Sequence, residues 1–113
     1  MSTDLAARAP EVAAPPAVFN FAAHLLQANA GRAARTAFID DTESLSYGAL
    51  EKRVRQCAAG LRALGIEREE RVLLAMRDVT DWPVAFLGAI YAGAVPVAVN
   101  TLLPADDYAY MLE

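Results

Sequence analysis

Cysteine is almost missing from these 113 residues: Cys57 stands alone. A lone cysteine excludes an internal disulfide framework and fits a reducing compartment. Glycine-rich phosphate loops are missing too. Neither a Walker A pattern nor G-x-G-x-x-G occurs, and Gly88 and Gly93 belong to an expected helix and its end. Basic residues are in the minority, 10 against 14 acidic ones, giving a net charge of −4 and a pI near 4.9. That balance argues against a nucleic-acid partner. Aromatics make up only 8%. Hydrophobic residues reach 56%, but many are alanines that add little buried area each. The length allows at most one ordinary domain.

Charge is also absent from one long stretch. Between Asp81 and Asp106 no residue is ionisable as Asp, Glu, Lys or Arg, long enough for a membrane span. Its punctuation favours two buried elements instead. Gly93 suits the left-handed position past a helix end, and Pro96 soon after cannot continue that helix. Val84, Leu87, Ile90 and Tyr91 have helical spacing; VPVAV from Val95 to Val99 is short and β-branched, like a strand covered on both faces. The acidic flanks offer no positive anchor. A cytoplasmic protein with no membrane partner is expected.

What is present reads as alternating elements. Residues 1–17 are Ala/Pro-rich, interrupted by Arg8, Pro10 and Glu11, and are expected to form a disordered leader rather than a signal or transit peptide. Residues 18–113 are expected to form a partial α/β subdomain. Phe19–Asn29 predicts a helix with Phe21, Leu25 and Ala28 on its apolar face, and His24 and Gln27 on the solvated one. TAFID, DTES and LSYGAL predict a strand, an acidic turn and a second strand entering a long helix N-capped by Ser46. Leu50, Val54, Cys57, Leu61 and Leu64 form one stripe of that helix, which Gly65 ends. A buried strand follows around residues 72–75, then a helix with Pro83 in its first turn, then the strand 95–99. PADDYAYMLE reads as a helix start, with Asp106 and Asp107 in its first turn and Tyr108, Met111 and Leu112 on one side. A helix interrupted at Glu113 suggests a piece of a longer chain. The order β-hairpin then βαβαβ predicts a parallel sheet flanked by helices.

None of the chemistry-bearing residues earns a catalytic, cofactor-binding or metal-ligating role. Asp40, Asp41 and Glu43 lack calcium-loop spacing and suit a hairpin turn. Cys57 has neither a second cysteine nor a nearby histidine and reads as a small core residue. Glu51 and Arg55 make an i, i+4 pair. The carboxyl ends of the two parallel strands, Met76–Thr80 and Asn100–Leu103, are where an open α/β sheet places ligands. These residues are expected to line a cleft completed by further sequence.

SLSYGALEKRVRQCAAGLRALGIEREERVLLAMRD, followed by FLGAIYAGAVPVAVNTLL, resembles the N-terminal part of adenylate-forming enzymes, the acyl-CoA synthetase superfamily. Within it, IDD, RVLLAMRD, PVAFLGAIYAG and VNTLLPADDYAYML look like benzoate-CoA ligase and related aryl-CoA ligases. The resemblance implies an ATP-dependent ligase: an aromatic carboxylate attacks the α-phosphate of MgATP, and coenzyme A then displaces AMP from the acyl-adenylate. Its implied partners are benzoate or a similar acid, ATP with Mg2+, coenzyme A, the remainder of its own chain and a possible second copy in a homodimer. The family's phosphate loop, nucleotide contacts, aryl pocket and catalytic lysine are implied to lie beyond Glu113, which would leave residues 1–113 inactive alone. Thr101, Leu102 and Leu103 hold no basic residue where some relatives meet coenzyme A. Ala49 replaces a frequent Glu that would complete a capping box with Ser46, so a weaker helix start is expected. Two other readings compete: a free-standing, non-catalytic α/β binding module, and an adenylating enzyme that loads a carrier protein.

Overall fold

The computed structural model describes residues 11–113. Most of the expected leader, residues 1–10, lies outside the described residues; 11–17 hold no helix or strand and are exposed. Helix α1 covers Phe21–Ala28, followed by a single 3-10 turn at Ala30–Arg32. Strands β1 (Thr36–Ile39) and β2 (Ser44–Ser46) form an antiparallel hairpin that runs directly into helix α2 (Tyr47–Ala63). Strand β3 (Arg71–Leu74), helix α3 (Asp81–Tyr91) and strand β4 (Val95–Ala98) make a βαβ unit, and helix α4 covers Ala105–Leu112.

Among the described residues the sheets are two, and small. β3 and β4 pair in parallel, with Val72 opposite Pro96 and Leu74 opposite Ala98. Among the described residues the hairpin pairs only with itself. The α/β class therefore holds, but the expected βαβαβ run contains one βαβ unit, because β2 is too short and too tied to β1 and α2 to reach β3. Val95 and Val99 donate their N–H groups to Glu70 and Leu74. Alternation then turns the Pro96 nitrogen away from β3, where its missing hydrogen breaks no bond of the pair.

Helices α2 and α3 each end on a glycine stop. Gly65 has φ 90° and Gly93 φ 88°. After α2, Gly65 N–H reaches the Arg62 carbonyl and Ile66 N–H the Leu61 carbonyl; after α3, Gly93 N–H reaches Ile90 and Ala94 N–H reaches Ala89. Each pair of bonds is the Schellman arrangement, which satisfies orphan carbonyls and needs a left-handed residue. The uncharged stretch is thus helix, glycine stop and strand. Among the described residues no helix is long and apolar enough to cross a membrane.

The core joins three helices to the hairpin. Ala22 and Leu26 of α1, Leu45 of β2, Leu50 and Val54 of α2, and Val84 and Leu87 of α3 are buried together. Two expected faces shift. In α1 the inward residues are Ala22 and Leu26, while Phe21 is half-exposed, so the buried stripe sits one position beyond the expected one. Asn20 explains the rotation. Its Oδ1 accepts from Ala23 N–H (3.1 Å) as the N-cap, and its Nδ2 donates to the Ile90 carbonyl (2.8 Å), which pins the start of α1 to the end of α3. In α2 the stripe ends early: Leu64 is 81% exposed, because a 3.6-residue period has drifted off the core after four turns.

The start of α2 is held in a way the sequence hides. Ser46 Oγ accepts from Ala49 N–H (3.1 Å), but Ala49 returns nothing. The first two N–H groups of the helix instead donate to carbonyls of the preceding segment, Tyr47 to Arg35 (2.9 Å) and Gly48 to Ala33 (3.0 Å). These bonds offset the expected weakness of an incomplete capping box.

Candidate functional site

Three features concentrate polar or apolar groups in one region: the hairpin turn, the loop after β3 and the first turn of α3. Asp40 organises the turn. Its Oδ1 accepts from Thr42 N–H (2.8 Å), Thr42 Oγ1 (3.0 Å) and Glu43 N–H (2.8 Å). Its Oδ2 accepts from Thr80 N–H (2.9 Å), forty residues away. A carboxylate thereby sits at the N-terminal end of α3, where the helix dipole favours negative charge. Thr80, which is buried, donates its hydroxyl to Glu43 Oε1. Arg53 on α2 closes the group, with one guanidinium nitrogen 2.8 Å from Glu43 Oε1 and the other on Asp81.

Hydrogen bonding to the charged forms sets the electrostatics. Backbone N–H groups of Thr80, Thr42 and Glu43 hold the Asp40 carboxyl well below the ordinary carboxylate range. The Thr80 hydroxyl, then Arg53, lower Glu43 as well. Glu43 raises Arg53 in return. Both carboxyls are depressed in the folded chain, so they stabilise it above their ordinary values, and that contribution is lost as pH falls through the folded ones. The urea midpoint should therefore decline as pH drops below about 4. Asp40→Asn should lower the midpoint at neutral pH and flatten the acid decline. Superimposable pH curves for the two proteins would show that the turn carboxylate does not couple to folding.

The acidic cluster is thus a turn and a clasp. Asp41 takes no part and points outward, exposed. Among the described residues no three His, Cys, Asp or Glu side chains are grouped so as to hold a metal ion. The clasp is not legible in the sequence because its partners are 10 to 40 positions apart, beyond any local pattern. Its only trace was an acidic turn facing a Thr-Asp helix start.

Beside the clasp lies an open apolar trough of about 370 Å³. Phe21 and Leu25 of α1, Phe38 and Ile39 of β1, and Trp82 and Phe86 of α3 form its walls, with Asp78 to Thr80 at one end. Trp82 and Phe86 stack, centroids 5.0 Å apart and planes 12° from parallel. The loop after β3 therefore lines a cleft, as its position at a strand's carboxyl end suggests. Asn100–Leu103 does not join it. That loop closes on itself: Tyr108 donates its hydroxyl to the Asn100 carbonyl and accepts from Leu103 N–H (3.1 Å), while Leu102 N–H donates to Asn100 Oδ1 (2.9 Å).

The remaining candidates are structural. Cys57 is half-buried against α3, and burial pushes its thiol up, away from the reactive thiolate. His24 is exposed beside Phe19, ring centroids 5.3 Å apart. Arg55 pairs with Glu51 (3.1 Å) and lies over the Tyr91 ring at 5.5 Å. Asp106 and Asp107 are exposed in the first turn of α4. No nucleophile with an adjacent base and no phosphate cradle is assembled among these residues.

A site without reacting groups has to be placed by kinship. The sequence profile of the family described as AMP-binding enzyme matches residues 25–113. The chain belongs to the AMP-binding enzyme family. Benzoate–CoA ligase of Thauera aromatica is 45% identical over 106 residues, covering 87% of this chain and 20% of the relative. The 4-hydroxybenzoate–CoA/benzoate–CoA ligase of Rhodopseudomonas palustris is 49% identical over 83 residues, 74% of this chain and 15% of that protein. Among solved structures, a benzoate CoA ligase from Burkholderia xenovorans superposes with a TM-score of 0.82 at 59% identity, over 84% of this chain and 19% of that one. This AMP-binding enzyme chain thus spans a fifth or less of the length of these relatives. The adenylate-forming resemblance and its benzoate-CoA ligase character both hold.

Proposed function

We propose that this chain serves as the N-terminal part of an ATP-dependent aryl-acid CoA ligase acting on benzoate or a closely related aromatic acid. Identities of 45% to 59% to benzoate–CoA ligases carry the reading. In the proposed reaction a benzoate oxygen attacks the α-phosphorus of ATP, supplied with Mg2+, and diphosphate leaves. The coenzyme A sulfur then attacks the carbonyl carbon of the benzoyl-adenylate, and AMP leaves with the bonding electrons. In this reading none of the residues described supplies a group that touches reacting atoms. The contribution of this part is scaffolding: two glycine-stopped helices, a clasped hairpin and an apolar face. The reading places the enzyme in the cytoplasm, where the unpaired Cys57 of this part would stay reduced.

The test is an assay of the gene product that carries this sequence. Diphosphate release should depend on benzoate or a hydroxybenzoate, and added coenzyme A should yield AMP and the aryl thioester. Release with long-chain or amino acids instead, or transfer only to a carrier-protein thiol, would overturn the aryl-CoA assignment.

A further inference from the structure

We draw no further inference here: the strongest candidate, the polar cleft beside the clasp that Asp40, Asp41, Thr42, Arg77 and Asp78 line, is an acidic cluster with no second observation to point to a ligand, since among the described residues no buried polar side chain lacks a partner and no grouping of side chains fits a metal ion.

Discussion

Gly88→Val should destabilise the protein by about 3 kcal/mol, at the upper end of ordinary overpacking in a dense core. Gly88 lies in the middle of α3, where it meets α2. A Cβ added there would stand 2.6 Å from Cys57 Sγ and 2.7 Å from Cys57 Cβ, with the Val54 carbonyl at 3.5 Å. No real Cβ tolerates the first two distances, so one helix has to move. Neither can move freely, because Val54 and Leu50 of α2 and Val84 and Leu87 of α3 are all buried in the same core. A glycine in a helix interior costs roughly 1 kcal/mol relative to alanine; here that cost accompanies close helix approach. Cys57→Ala should rescue Gly88→Val in part, since it removes the sulfur and leaves the Cβ. The denaturant midpoints of the four proteins of this double-mutant cycle give the coupling. Additive effects would show that the two side chains do not meet.

Gly93→Val should cost about 2 kcal/mol, for a different reason. At φ 88° a β-branched residue is strained whatever room surrounds it. Crowding adds nothing: the nearest atoms to an added Cβ are on Arg68, at 3.7 Å or more, which is ordinary contact. The backbone around it is nonetheless committed. Gly93 donates to Ile90 (2.9 Å) and accepts from Glu69 N–H (2.8 Å), so relaxing φ would break the helix stop and the approach to β4 together. Gly93→Asn should be much milder, because asparagine tolerates the left-handed region. Equal losses for Val and Asn would point to a lost contact and not to backbone strain. If the stretch spanned a membrane, Val at this position would favour insertion instead.

These two glycines show what a sequence can disclose. Gly93 and Gly65 were legible because a helix stop is local: periodic apolar residues, then glycine, then a strand or loop. Ser46 and Pro83 were legible for the same reason. Gly88 was not, since nothing within a few residues of it reveals that Cys57, thirty-one positions earlier, packs on it. The orientation of α1 was misread by one position because apolar residues occupy both Phe21–Ala22 and Leu25–Leu26, and only the long-range bond from Asn20 to Ile90 decides between them. The strands were recognised, but their pairing into two separate sheets depends on the short β2 and on contacts between distant residues. The trough was hinted at through the loop after β3, whereas Phe21, Phe38 and Ile39 gave no local sign of facing it. The acidic residues of the turn mark it locally, whereas its clasp to Thr80 and Arg53 leaves no local sign.

The central claim is that this chain carries the scaffold of an aryl-CoA ligase and none of its chemistry. Titration calorimetry of the 113-residue chain with MgATP, alone and with benzoate, tests it most directly, under conditions where circular dichroism shows the helices formed. The account predicts no binding heat with either and no adenylate in the mixture. Micromolar ATP binding, or benzoyl-adenylate formed by these residues alone, would contradict it.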